Sequence, residues 1–272
     1  MRSETYKTPG PLRLDLELPI GRIEIETVPG DETHVELEAH GDRSVRELEE
    51  NARIEFVKRG QRDEVVVEVS MRRGFWISFD RPDLRLRITC PPGAELDIRS
   101  KSADVKARGT YGAVEVKTAS GEVFVQEATG DVNVKSASGD VEVEIVGGRL
   151  EVNSASGDLK VDTVAGESDV HLVSGDLYIR EAGDSVRANT VSGDQRFETV
   201  VKGRLDVRAI SGDIAVGIRR GSRLFVDANT VSGGTSSDFE LSDAPAGDEG
   251  PDGPLVEVFA KTVSGDVRIE RA

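Results

Sequence analysis

One phrase constrains the fold of this chain more than anything else in it. A ten-residue pattern built around Ser-Gly-Asp recurs as "VKTASGEVFV" at 116, "VKSASGDVEV" at 134, "VNSASGDLKV" at 152 and "VHLVSGDLYI" at 170. It continues as "ANTVSGDQRF" at 188, "VRAISGDIAV" at 207, "ANTVSGG" at 228 and "AKTVSGDVRI" at 260. The first five copies start 18 residues apart, then the step grows to 19 and 21, and a long insertion precedes the last copy. Weaker glycine turns fall midway between copies, so that Gly121, Gly130, Gly139, Gly148, Gly157, Gly166 and Gly175 are nine residues apart. A fixed short period of this kind is the signature of a stacked repeat architecture. The unit is a nonapeptide, one short strand plus one turn, and two nonapeptides make one coil.

The strands alternate. Val141 and Val143 flank Glu142, Leu150 and Val152 flank Glu151, and Leu159 and Val161 flank Lys160. Period two buries one face of a strand and leaves the other wet. The recurrence then stacks Val123, Val141, Leu159 and Leu177 as one inner column and Val134, Val152 and Val170 as another. Successive coils lie about 4.8 Å apart. One coil cannot bury its own apolar face, but its neighbours can. The expected fold is therefore all-β, a single-stranded β-solenoid (β-helix) with 18-residue coils made of two nonapeptide strands. The low aromatic content, 4%, suits a narrow core of stacked Val, Leu and Ile.

The corner has its own chemistry. Glycine supplies the sharp turn with φ > 0, and the flanking Ser and Asp oxygens can bond turn amides. Ala119, Ala137, Ala155, Val173, Val191 and Ile210 each precede Ser-Gly and are expected to point inward.

The first 90 residues differ. "LRLDLELP", "GRIEIETVP" and "HVELEAHG" read as strands, and Ser44 with Glu47 three residues later forms a capping box for a short helix. "RIEFVKRGQRDEVVVEVS" reads as a hairpin, and "GFWISF" and "LRLRITCPP" as strands. The expected organisation is a strand-rich N-terminal segment and cap over 1–90, continuous with solenoid repeats over 91–272. A Pro/Gly/Asp-rich loop at about 236–254 interrupts the repeats. This acidic loop is expected to guard an open C-terminal strand edge and keep the chain a monomer or dimer.

A net charge of −16 disfavours nucleic acid and anionic membrane surfaces as partners. The single cysteine, Cys90, rules out an intramolecular disulfide and reads as a satisfied strand-end thiol. No signal-like or membrane-spanning apolar run is visible, so the sequence leads to the expectation of a cytoplasmic chain without direct membrane insertion. Envelope association would then need a partner.

Chemistry is scarce. His34, His40 and His171 show no metal-ligand spacing, and neither a phosphate loop nor a G-x-S-x-G elbow is present. The best metal candidate is an acidic ladder of Glu122, Asp140, Asp158, Asp176, Asp194 and Asp213. Like charges about 4.8 Å apart repel by about 0.9 kcal/mol even at the dielectric of water. A cation could relieve this, as in the calcium β-roll, although the additional glycines of that motif are lacking. Lys135, Lys160 and Arg180 offer counter-charge instead. A polysaccharide-active β-helix would use such carboxylates with aromatic platforms, but the only tryptophan, Trp76, lies outside the repeats. Trp76, Phe75 and Phe79, with Arg72, Arg73 and Arg81 around them, are the candidate contact patch for a protein partner. No catalytic residue and no cofactor is expected.

The run "LRLRITCPPGAELDIRSKSADVKARGTYGAVEVKTASGEVFV", followed by tandem S-G-D phrases, resembles the bacterial adhesin-like β-strand-repeat family of unknown function, the toastrack domain. The resemblance extends from "GRIEIETVPG" to "SGDVRIERA". It implies a single-stranded β-solenoid without established catalytic residues, often found beside membrane anchors or envelope-stress modules. The expected function is a non-catalytic scaffold or protein-interaction module, linked by that resemblance to envelope or stress signalling. The alternatives are a calcium-binding β-roll-like protein and a polysaccharide-active β-helix enzyme.

Overall fold

A computed structural model describes residues 1–41, 43–60, 62–70, 83–239 and 253–272. The chain divides into two compact units, Met1–Asp140 and Val141–Ala272.

The first unit begins with β1 (Arg2–Lys7), β2 (Leu12–Thr27) and β3 (Glu32–His40). The helix α1 (Arg43–Glu50), β4 (Arg53–Arg59), β5 (Arg62–Glu68) and β6 (Asp83–Cys90) follow, then β7 (Glu95–Tyr111), β8 (Val114–Thr118), β9 (Val123–Ala128) and β10 (Val132–Ser136). The first coil is already present in β2. Leu12, Leu14, Leu16 and Leu18 alternate with exposed or half-buried partners, the chain turns at Gly21, and Ile23 and Ile25 resume the inner face. In β7 the same course runs in parallel, with Leu14 opposite Leu96, Leu16 opposite Ile98 and Ile23 opposite Val105. On the other side of β2 lie β5 and β6, also parallel. Antiparallel strands close this end: β4 on β5, and β3 between β6 and β1. The helix starts at Arg43, one residue before the expected capping serine, and buries Val45 and Leu48.

The second unit contains β11 (Val141–Val146), β12 (Leu150–Ser156), β13 (Leu159–Val164), β14 (Ser168–Ser174), β15 (Leu177–Ala182) and β16 (Val186–Ser192). It continues with β17 (Gln195–Val200), β18 (Gly203–Ser211), β19 (Ile214–Ile218), β20 (Arg223–Ser232), β21 (Thr235–Ser237), β22 (Leu255–Ser264) and β23 (Val267–Arg271). From β11 to β17 each strand pairs in parallel with the strand two further along, so Val141 faces Leu159, Leu159 faces Leu177, and Val152 faces Val170. The chain is thus a β-solenoid, and every residue of the two expected inner columns is buried.

The order of coils breaks at the end. Strand β18 pairs with β22 and β19 with β23, while β20 and β21 pair with the opposite edges of β22 and β23. The last coil in sequence is therefore inserted ahead of the coil that precedes it. The open edge expected for the C-terminal strands belongs instead to β20 and β21. Leu224 and Val226 are half-exposed where their partners Val256 and Val258 are fully buried, because among the described residues no further coil pairs with β20. Of the acidic loop, residues 240–252 lie outside the described residues.

A second correction concerns the corner. Val173, Val191 and Ile210 are exposed, as are Ala119, Ala137 and Ala155, so this column points outward. The residue before it points in: Thr118, Ser154, Thr190 and Thr262 are buried. The Thr118 hydroxyl donates to the Ser120 carbonyl at 2.8 Å and the Ser154 hydroxyl to the Ser156 carbonyl at 3.1 Å. Strict alternation from Val152 already puts Ser154 inside. The hydroxyl is tolerated there because it satisfies a corner carbonyl that the strand ladder leaves over. Glycine at the corner is obligatory for two reasons. Gly193 has φ +133°, and a Cβ on it would sit 2.1 Å from the Gly175 carbonyl oxygen of the preceding coil.

Candidate functional site

The acidic ladder is a hydrogen-bonded stack. The Asp158 carboxylate accepts the backbone N–H of Asp176 at 2.8 Å, Asp176 that of Asp194 at 2.8 Å, and Asp194 that of Asp213 at 2.8 Å. The series follows the spatial order of coils: Asp213 accepts from Asp266, and Asp266 from Gly234, both at 2.7 Å. In the first unit Asp104 accepts the N–H of Glu122 at 3.1 Å. Each carboxylate thus takes the donor that the next corner would otherwise leave to water, which partly offsets the repulsion between neighbours. Asp104 and Asp266 were outside the expected ladder. Asp266 stands in the last Ser-Gly-Asp copy, and Asp104 is legible only as the residue 18 before Glu122.

The expected counter-charges serve other carboxylates. The Lys160 ammonium donates to Glu142 at 2.5 Å, which raises its pKa, and Arg180 lies 3.7 Å from Asp162. Lys117 donates to Glu115 at 2.6 Å, and this hydrogen bond lowers the Glu115 pKa. These pairs belong to the outward strand faces. Exposed pairs of this kind contribute little each. They leave the solenoid surface tiled with both signs of charge despite the net negative balance.

At the turn before β16, Asp184 accepts the backbone N–H of Ser185 at 2.7 Å and lies 3.2 Å from Lys202. The backbone hydrogen bond, with help from Lys202, lowers its pKa below the ordinary aspartate value. Cys90 is fully buried at the end of β6, and burial pushes its thiol pKa up to about 12. Burial likewise raises Tyr111, whose hydroxyl lies 2.8 Å from the Arg108 carbonyl and 3.0 Å from that of Ile25. A protonated thiol and a protonated phenol in a closed core are packing groups.

The histidines are dispersed. His34 Nδ1 lies 2.8 Å from the Thr5 hydroxyl and its Nε2 3.0 Å from Glu36. His40 faces Glu38, and His171 faces Asp169 at 3.1 Å. Among the described residues, no three His, Cys, Asp or Glu side chains converge as metal ligands would. The described concavities are shallow and lined by mixed charge, such as that between Arg149, Asp169, Arg187, Arg204 and Asp206. The aromatic and basic patch of Arg72, Arg73, Phe75, Trp76 and Phe79 lies outside the described residues. Among the described residues, no helix is long and apolar enough to cross a membrane.

Parallel coils with glycine corners occur in both units, and the family match spans both. The model of the family described as Toastrack DUF4097 covers residues 13–270. The chain belongs to the Toastrack family. No curated protein matches it. Solved structures do. A "putative adhesin" from Bacteroides fragilis NCTC 9343 is 15% identical, with 98% of this chain and 96% of that one covered, at a TM-score of 0.47. A "putative cell adhesion protein" from Clostridium sporogenes ATCC 15579 is 10% identical over 100% and 99% of the two chains, at 0.28. A "putative lipid binding protein" from Parabacteroides distasonis ATCC 8503 is 12% identical over 98% and 96%, at 0.37. Likeness this distant carries no argument about what this Toastrack chain binds.

Proposed function

We propose that the chain is a non-catalytic β-solenoid scaffold that presents its outward strand faces to a protein partner. One observation carries the reading. The polar groups that the repeat supplies most often are engaged in holding one coil on the next, as Asp176 holds the N–H of Asp194. A carboxylate serving as a backbone acceptor is a corner device, so the repetition is explained without a substrate or an ion. What remains for function is an extended, regular, charged surface on a rigid core. Proximity to an envelope or envelope-stress partner is the setting that the family resemblance supports.

The test is affinity capture with the intact chain from a native bacterial lysate, followed by titration with the purified captured protein. The expected result is a saturable complex of defined stoichiometry. Turnover on a panel of acidic polysaccharides would replace this reading with an enzyme. A calcium-dependent rise in melting midpoint would replace it with an ion-binding solenoid.

A further inference from the structure

Five exposed aliphatic side chains make an unbroken ridge along the second unit. Val173, Val191, Ile210, Val263 and Val231 are 54%, 45%, 55%, 49% and 82% exposed. Strand register stacks them in that order. Ser174 lies opposite Ser192, Ser192 opposite Ser211, Ser211 opposite Ser264, and Ser232 opposite Ser264, so the residues just before these serines are adjacent too. The equivalent position is alanine in the three earliest copies, Ala119, Ala137 and Ala155. The corner geometry therefore accepts a methyl group, and the larger side chains are not required by the fold. Together they expose on the order of 400 Å² of contiguous apolar surface, the size of the largest patch on a typical monomer, which is often functional.

The two borders of the ridge differ in charge. Two residues upstream runs a column of His171, Asn189, Arg208, Lys261 and Asn229, which contains no carboxylate. Three residues downstream runs the stack of Asp176, Asp194, Asp213 and Asp266, all exposed. We propose that this ridge pairs with the same ridge of a second copy of the chain, the two ridges running parallel about a two-fold axis along them. In that arrangement each copy's Arg208–Lys261 column meets the aspartate stack of the other. A two-fold axis across the ridge would instead set aspartates against aspartates, and like charges juxtaposed at an interface are strongly disfavoured. Ridge on ridge removes only about 800 Å² in total, short of the roughly 1,200–2,000 Å² of a stable specific interface. The charged columns must close as well, so the pairing depends on their complementarity and not on the ridge alone. A monomeric scaffold remains a scaffold, so this pairing and the scaffold reading fail separately.

The orientation makes the test sharp. In a parallel pair every ridge position meets its own equivalent, whereas in an antiparallel pair only the middle position does. Variants of the full chain that each add one cysteine, Val173→Cys and Val231→Cys, are treated with a short bis-maleimide; Cys90 is buried and does not compete. Both ends of the ridge are expected to cross-link to themselves well above a Lys58→Cys surface control. Adding Ile210→Glu should abolish the product, with circular dichroism confirming the fold. Arg208→Glu should do the same by placing a carboxylate against the aspartate stack. The proposal is overturned if both ends cross-link no better than the control, if only Ile210→Cys cross-links, or if the dimer survives Ile210→Glu and Arg208→Glu. Sedimentation of the unmodified chain as a monomer at every concentration would overturn it too.

Discussion

The Asp194 carboxylate accepts the backbone N–H of Asp213 at 2.8 Å, one coil away. This contact assigns the aspartate of the repeat to the stacking of corners. Asp194→Ala should then cost about 1 kcal/mol, the usual net worth of one such bond. Asp194→Asn keeps an acceptor and should cost less. Chemical denaturation of the two variants measures the difference. If Asn is as harmful as Ala, or if calcium stabilises the native chain, the carboxylate is doing something other than accepting a peptide N–H.

The turn glycines predict a graded response to alanine. At Gly60 φ is +67° and nothing lies within 4 Å of an added Cβ, so Gly60→Ala meets only the left-handed penalty of about 1–2 kcal/mol. At Gly193 the Cβ also strikes the Gly175 carbonyl. Gly193→Ala should cost about 3–5 kcal/mol, because the clash with the neighbouring backbone adds to the conformational penalty. Equal melting points for the two variants would refute the stacked-corner geometry.

The inner face predicts a cooperative failure. Val161 is fully buried and pairs with Val143, which is buried as well. An aspartate at position 161 would bury a charge with no partner, at a cost of several kcal/mol. Val161→Asp should abolish the far-ultraviolet strand signal or lower its melting midpoint steeply. Val191→Asp, on the outward ridge, should melt close to the parent protein. A reversed order would invert the assignment of faces.

Cys90 should be inert in the folded chain. Its thiol pKa is pushed up to about 12 by burial. The folded state holds the proton while an unfolded thiol, with a pKa of about 8.5, releases it. Stability from this difference is intact below the unfolded value and is lost as pH rises from there toward the folded one. Iodoacetamide at mildly alkaline pH should leave the native protein unmodified and label it after denaturation. Rapid native labelling would show that the end of β6 opens.

Asp184 gives the acid side. Its pKa is lowered mainly by the Ser185 N–H. Its contribution is complete above the ordinary aspartate value of about 3.9 and is lost as pH falls through the depressed one. Asp184→Ala should lower stability by about 1 kcal/mol at neutral pH, and the gap to the parent should close in strong acid. A gap that is constant with pH would mean that packing, not the carboxylate, is what the substitution removes.

Much of this protein follows from sequence alone, and for a physical reason. A strand exposes its faces with period two, and a coil that repeats every 18 residues sets like on like, so Val141, Leu159 and Leu177 had to share one inner column. The glycine turns were legible because only glycine combines that φ with so close a neighbour. Two features were decided only in three dimensions. The outward turn of Val173, Val191 and Ile210 runs against their apolarity, because strand alternation gives the inner position at the corner to the residue before each, Leu172, Thr190 and Ala209, all buried. The order of the last coils is the second. The copies that carry Ser-Gly-Asp share one register, so their order is not written in the phrase, whereas the copy at 228 reads Ser-Gly-Gly, and Gly234 donates to Asp266 with no carboxylate to offer a further coil. Tertiary packing sets the order. The strand β22 alternates cleanly and is covered on both edges, whereas β20, with Phe225 and Val231 exposed, is left at the end.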